Sequence, residues 1–448
     1  MKSLVRTSLV LALAAVMTTG LFANGLNLNG FGARATAMGG AFVGLANDYT
    51  AVFFNPAGLA MLKQPTIGLA GDLLFPKSTY GIGTVFSMET TKKFYPAGLL
   101  GYFQPIGDRI VVGVGAYTLS GLGADWDNPG LEAAMLSGLP PGSVVTPAVE
   151  AYDWRSFIGS ITLAPSIAVK LSDMIYFGAS VNINYGFFQT DQWGETYTLI
   201  AGPPPYIFNF GQASLDVKGW GYGATFGLLV KPSDMISFGV TYRLASKIKM
   251  KGETKVENMP AFGKFLPGSP TLDDTSDAEL TATSPMWLAG GVSIKPVENL
   301  TLAFDLHWTN WKKLDALAIG LLNEGWNAIG KTENELDLRW DDKIQIRGGI
   351  EYVMGKLALR GGYYYDPAPA PDETLNILVP SYTFNSVAGG FGYKSGGFSI
   401  DFGLEYLMGK DRTIAPAYND EVPPELTNMP GTHKMKILVP VLGLSYSF

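Results

Sequence analysis

Apolar and polar residues alternate with a period of two along most of this chain. In residues 301–308, Leu302, Phe304, Leu306 and Trp308 alternate with Thr301, Ala303, Asp305 and His307, which puts the two sets on opposite faces of a β-strand. The same split separates Ile344, Ile346, Gly348, Ile350 and Tyr352 from Lys343, Gln345, Arg347, Gly349 and Glu351. It also sets Phe402, Leu404 and Tyr406 against Asp401, Gly403 and Glu405. Charges occupy one face only. A strand of this kind suits a soluble sandwich with its apolar face inward, or a membrane barrel with that face on lipid and the charged face lining a lumen.

The connections separate these two solutions. Short turns are predicted at 105–109, 170–174, 231–235, 295–299, 354–356 and 394–397. Between them lie long segments at 76–94, 120–155, 189–212, 250–280, 310–341, 366–380 and 409–433. Strict alternation of short and long connections is the pattern of an outer-membrane barrel, with tight periplasmic turns at one end and extracellular loops at the other. The expected fold is therefore all-β: a transmembrane antiparallel β-barrel of about 14 strands, an even number with both chain ends on the periplasmic side.

Composition agrees. Only 16% of residues are charged, against roughly a quarter in an ordinary soluble domain, so little surface is intended for water. Beyond the N-terminus no apolar run approaches the roughly twenty residues of a spanning helix, and a closed barrel is the other structure that pairs every backbone group in lipid. Residues 1–23 read as an export signal: Lys2 and Arg6 precede a short apolar run from Leu9 to Met17, and small residues follow. The absence of cysteine excludes disulfides, cysteine-ligated metal and a lipidated cysteine, and no cofactor is expected. A net charge of −7 argues against nucleic acid as a partner. Aromatic residues near strand ends, such as Trp308 and Trp311, suit membrane interfaces, where outer-membrane lipid is the partner. Leu444, Tyr446 and Phe448 end the chain on one face, and this C-terminus is similar to the signal read by the barrel-insertion machinery, with Phe448 as the contact.

Residues 24–62 do not alternate. Rich in Gly and Ala, with Phe31, Met38, Phe42, Phe53 and Phe54 interspersed, they form a segment too short for a domain but suited to plugging a barrel. The sequences Gly32-Ala33-Arg34-Ala35-Thr36-Ala37-Met38-Gly39-Gly40-Ala41, Ala46-Asn47-Asp48 and Asn55-Pro56-Ala57-Gly58 resemble the hatch of the FadL family of long-chain fatty acid and aromatic hydrocarbon transporters. Ser284-Pro285, Leu359-Arg360-Gly361-Gly362-Tyr363 and Pro369-Ala370-Pro371-Asp372-Glu373-Thr374 are similar to the family's later strands and the loop joining them. The resemblance implies a fourteen-stranded barrel at 63–448 around a hatch at 24–62. It also implies capture of a hydrophobic ligand in apolar extracellular loops, transfer to a lumen pocket, and passive lateral exit near a kink in the third strand.

Candidate residues follow. Gly113 and Gly115 in the third strand are candidates for the kink, because interior glycines often mark a bend, although they also allow close packing. Asn55, Pro56, Ala57 and Gly58 are the candidate gate, a rigid turn set against that strand. For capture, Leu314, Leu317, Leu321, Leu322 and Trp326 populate one loop in a short helical stretch. Phe262, Phe265 and Leu266 populate a second, and Ile200 with residues 203–208 a third; these form either a binding surface or a packed seal at the mouth. Arg243, Arg347 and Arg360 present forks matched to a carboxylate, but Asp305, Glu351, Asp401 and Glu405 share the inward face and offer ion pairs instead. Two other functions stay open. A lipid hydrolase would need His307 or His433 beside a serine, and a diffusion porin would need an unplugged lumen.

Overall fold

A computed structural model describes residues 28, 30–83, 86–91, 93–126, 144–146, 154–199, 207–257, 273–328, 333–418 and 427–448. The alternating segments form strands because their β-branched and aromatic side chains fit a pleated wall with two different environments. In chain order these are β1 (Thr66–Ile82), β2 (Tyr95–Ile106), β3 (Ile110–Trp126), β4 (Trp154–Lys170), β5 (Ile175–Leu199) and β6 (Ile207–Ser233). Two interrupted strands follow, β7 (Ile236–Arg243 and Ser246–Glu257) and β8 (Thr275–Ser284 and Trp287–Val297). The wall is completed by β9 (Leu300–Thr309), β10 (Lys343–Met354), β11 (Leu357–Asp366), β12 (Phe384–Ser395), β13 (Phe398–Gly409) and β14 (Gly431–Ser447). Each pairs antiparallel with its sequence neighbours, and β1 pairs with β14 from Thr66↔Ser447 to Gly81↔Thr432, so the fourteen-strand sheet closes. At the short-turn end, Gly355 and Gly396 take φ near +60°, which tight two-residue reversals require.

Burial follows the alternation with its polarity reversed. On β9, Leu302, Phe304 and Leu306 are 39%, 46% and 45% exposed, whereas Asp305 and His307 are 0% and 2% exposed. On β10, Ile344, Ile346, Ile350 and Tyr352 face outward while Gln345, Arg347 and Glu351 are buried. Hydrocarbon is the surrounding medium in which that arrangement is favourable.

Residues of the N-terminal segment fill the short-turn half of the lumen as a hatch of two helical turns, α1 (Ala33–Ala37) and α2 (Ala51–Phe54), and a 3₁₀ turn, Pro56–Met61. Phe31, Phe42, Phe53 and Phe54 pack together at its centre, with ring centroids 5.0–5.4 Å apart. Toward the long loops the inner wall becomes apolar, lined by Val217, Met250, Leu280, Leu317 and Trp311 among others. The connection from β11 to β12 lies over this half. Ile377 O accepts from Trp126 Nε1 at 3.0 Å, Leu378 O accepts from the Ser156 hydroxyl, and Arg412 donates to Ser381 O and Ala370 O at 2.9 and 3.0 Å.

Candidate functional site in the lumen

The hatch is held by polar contacts that cross long stretches of sequence. Arg34 of α1 donates to both carboxylate oxygens of Glu351 at 2.8 Å and to Asn47 Oδ1 at 2.6 Å. Glu351 also accepts from Arg360 at 2.7 Å, and Arg360 reaches Asp401 at 2.7 Å, which makes one ion network from hatch to wall. On the neighbouring strand β9, Asp305 Oδ2 accepts from the backbone N–H groups of Phe42 and Val43 at 2.6 and 2.7 Å.

Asn55-Pro56-Ala57-Gly58 sits where backbone meets backbone. Asn55 Oδ1 accepts from Ala57 N at 3.1 Å, and its Nδ2 donates to Val43 O at 3.0 Å and Leu228 O at 3.1 Å. A Cβ placed on Gly178 of β5 would lie 2.2 Å from the Pro56 carbonyl carbon, and one on Gly227 of β6 would lie 2.1 Å from Asn55 Oδ1. Gly58 allows the equally close approach of Ala46 O. This element packs chiefly against β4, β5 and β6. The expected setting against the third strand is corrected: the glycines that admit the turn lie on β5 and β6.

Above the hatch core an aromatic cleft surrounds one cation. Phe53 meets Phe31 and Tyr117 edge-on, with centroids 5.2 and 5.4 Å away. The Arg243 guanidinium lies 4.8 Å from the ring centroids of both Phe53 and Trp287, and Nη2 donates to Phe53 O at 2.9 Å. Arg243 has no ion-pair partner among the described residues, and its Nε and the Tyr117 hydroxyl are buried without hydrogen-bond partners. Leu28, Leu119, His307, Thr309, Gln345 and a second guanidinium, Arg347, complete the lining of a cavity of about 20 Å³.

Beside this cleft β3 loses its regularity. Its pairing with β4 shifts between Thr118 and Ser120, so Leu119 is an extra residue, a β-bulge. Pairing of β3 with β2 stops at Leu99↔Tyr117, while β2 continues to Tyr95 along β1. The seam closes again where Thr90 bridges Trp126 and Thr91 N donates to Asp125 O at 2.9 Å. Between these points the regular β2–β3 register is interrupted, with Leu119 at the lumen side.

With this geometry in place, comparison with known proteins is decisive. The family model for outer membrane protein transport proteins (OMPP1/FadL/TodX) matches residues 14–448. The chain belongs to this family. The long-chain fatty acid transport protein of Escherichia coli O6:H1 is 24% identical over 437 residues, covering 91% of this chain and 92% of the relative. A 47 kDa outer membrane protein of Pasteurella multocida is 23% identical over 394 residues, covering 85% and 86%. Among solved structures, a Pseudomonas aeruginosa FadL homologue aligns with TM-score 0.75 at 17% identity over 95% of this chain and 100% of that one. The Pseudomonas putida toluene transporter TodX aligns with TM-score 0.72 at 17% identity over 94% and 99%. This FadL-family barrel resides in the outer membrane, with its short turns facing the periplasm.

Several sequence candidates change place in the FadL-family fold. Gly113 and Gly115 keep regular register with β2, and the register shift in β3 lies at Leu119. Gly115 makes room for the hatch, since a Cβ would stand 2.9 Å from both Val52 methyl groups. Leu314, Leu317, Leu321 and Trp326 are buried, and only Leu322 of that set is exposed. The stretch expected to be helical contains a strand, Ala316–Leu321, paired with β8 at Ala278–Leu280, and a short helix only at Glu324–Ala328. Its leucines line the upper lumen rather than an outer surface. Arg360 is committed to Glu351 and Asp401, whereas Arg347 bonds Gln345 at 2.7 Å, stacks over Tyr364 and lines the same cavity as Arg243. Phe262, Phe265 and the signal segment lie outside the described residues. His307 bonds Asp305 at 3.3 Å and His433 bonds Met429 O at 2.8 Å; neither has a serine partner among the described residues. Sequence reasoning named Arg243 only as one of three arginines, and it missed Tyr117, Phe53 and Trp287 as its surroundings.

Proposed function

We propose that this FadL-family protein carries hydrophobic small molecules, long-chain fatty acids before plain hydrocarbons, passively across the outer membrane surface into the bilayer. Relatives named as long-chain fatty acid and toluene transporters support the class of ligand. The observation that favours an acidic head is Arg243: a buried cation without a carboxylate partner among the described residues, near the buried Tyr117 hydroxyl, which has no hydrogen-bond partner among them either. Burial of an unpaired charge is unfavourable, and a ligand carboxylate placed there supplies the missing acceptor. Phe31, Phe53 and Trp287 offer apolar contact to the chain that follows the head.

The route has three parts. Capture occurs in the apolar upper lumen lined by Leu317, Leu321 and Trp326, with Leu322 at its rim. Transfer brings the ligand to Arg243; the cavity of about 20 Å³ holds roughly one water molecule, so Phe53 and the hatch around Asn55 and Pro56 shift to admit it. Exit proceeds through the interrupted seam at Leu119 into hydrocarbon. Each methylene gains about 0.8 kcal/mol on leaving water, so a sideways exit never returns the chain to water.

The test compares oleate with methyl oleate on the full chain in detergent micelles. Arg243→Gln should weaken oleate binding roughly tenfold or more, as loss of a charge-assisted hydrogen bond implies, and leave the ester unchanged. Oleate bound equally by both proteins would remove the carboxylate role from Arg243. Loss of both ligands together would reduce the cleft to a purely apolar site.

A further inference from the structure

On the outer wall at the extracellular side, β6 and β7 change abruptly from apolar to cationic. Outward positions of β7 run Phe238, Val240, Tyr242 and Leu244, and then Lys247, Lys249 and Lys251. Ile236 to Leu244 has the length of a tilted strand that crosses the lipid-facing band, about nine to eleven residues, so the lysines begin at the headgroup level. The aromatic belt marks the same level on β6, where Trp220 and Tyr222 are 55% and 69% exposed. Lys249 stands opposite Trp220, and Lys251 opposite Lys218 of β6. On the other flank Lys247 and Lys249 face Thr283 and Thr281 of β8.

These charges are compensated only in part, by Glu279 and by Asp216, Glu253 and Asp277, which form the next outward row toward the loops. Lys251 pairs with Glu279 at 3.2 Å, but Lys218, Lys247 and Lys249 have no ion-pair partner among the described residues. Two other outward lysines find acids, Lys77 with Glu89 and Lys434 with Asp411, both at 3.0 Å, whereas Lys436 has none among the described residues. Like charges on neighbouring strand positions repel, and nothing in the inner wall calls for them. Their height, their threonine neighbours and the aromatic belt beneath fit a lipid headgroup bearing phosphate.

We propose that this lysine shelf binds the phosphates of lipid A, the phosphorylated glycolipid of the outer leaflet, whose acyl chains lie along Tyr222, Phe226 and Val240. The site is on the outside of the barrel and does not depend on the lumen reading.

The test uses full-length protein in micelles, with bisphosphorylated lipid A as the probe and native mass spectrometry as the readout. Wild type should retain one lipid A, and Lys218→Gln/Lys247→Gln/Lys249→Gln should retain it about tenfold or more weakly, in line with the electrostatic contribution of each lysine near an anionic headgroup. Lys434→Gln should match wild type, and heat-modified migration on a gel reports that each variant is folded. Dephosphorylated lipid A should bind wild type as weakly as lipid A binds the triple variant. Equal retention by wild type and triple variant, or of both lipids by wild type, would overturn the proposal. Phosphatidylglycerol held as tightly as lipid A would overturn the assignment to glycolipid.

Discussion

Three arginines on or near the inner wall differ only in what surrounds them, and their roles differ accordingly. Arg34 and Arg360 share Glu351, so each guanidinium is neutralised and spends its geometry on fixing the hatch. Arg243 has aromatic faces on two sides and no acid, which leaves its charge for something that is not part of the chain. Removing one member of a buried pair costs about 3 kcal/mol or more when it strands the other, and less for Arg34, whose side chain is 20% exposed and whose partner Glu351 keeps Arg360. Arg34→Ala should therefore loosen the hatch: amide exchange in the 33–62 segment rises, and planar-bilayer recordings show conductance that wild type lacks. Exchange and conductance equal to wild type would mean that Asp305 and the glycine seats suffice. Arg34 stood inside the recognised hatch motif, yet its purpose was not legible there, because Glu351 lies 317 positions away and pairings at that distance leave no local mark.

At the level of elements, the strands were readable because a period of two is a direct statement about two faces. Departures from that period were not. Glycine is the usual sign of a bend, but Gly115 answers to Val52 in the hatch, and the extra residue in β3 is a leucine with no special chemistry. Likewise Leu314, Leu317 and Leu321 have the spacing of a helical stripe, but pairing with β8 makes a strand of 316–321, tertiary contact overriding local pattern. If the bulge shapes the exit, deleting Leu119 should restore uniform pairing along β3 and slow oleate delivery into vesicles by about tenfold or more, with oleate affinity held within a few-fold. Delivery at the wild-type rate would detach the bulge from exit.

For the molecule as a whole, the reversed burial pattern is the organising fact: apolar outward, ionic inward. Phe304 sits midway along β9 on the outward face, so Phe304→Lys should lower stability of the vesicle-inserted barrel by roughly 2–4 kcal/mol in a urea titration. A change below about 0.5 kcal/mol would place Phe304 away from the bilayer midplane. Plug and barrel were both visible as changes in composition along the chain. The position of the cleft was not, since it is assembled from α2, β3, β7, β8, β9 and β10, six elements whose meeting only the closed sheet decides.

The seats of Asn55, Pro56 and Gly58 against Gly178, Gly227 and Ala46 join main chain to main chain, with no long side chains between them to stretch. A stopper mounted on bare peptide planes cannot ease away by degrees; it is either home or out. The current expected from Arg34→Ala is accordingly a series of discrete steps above a quiet baseline, not a uniformly raised leak.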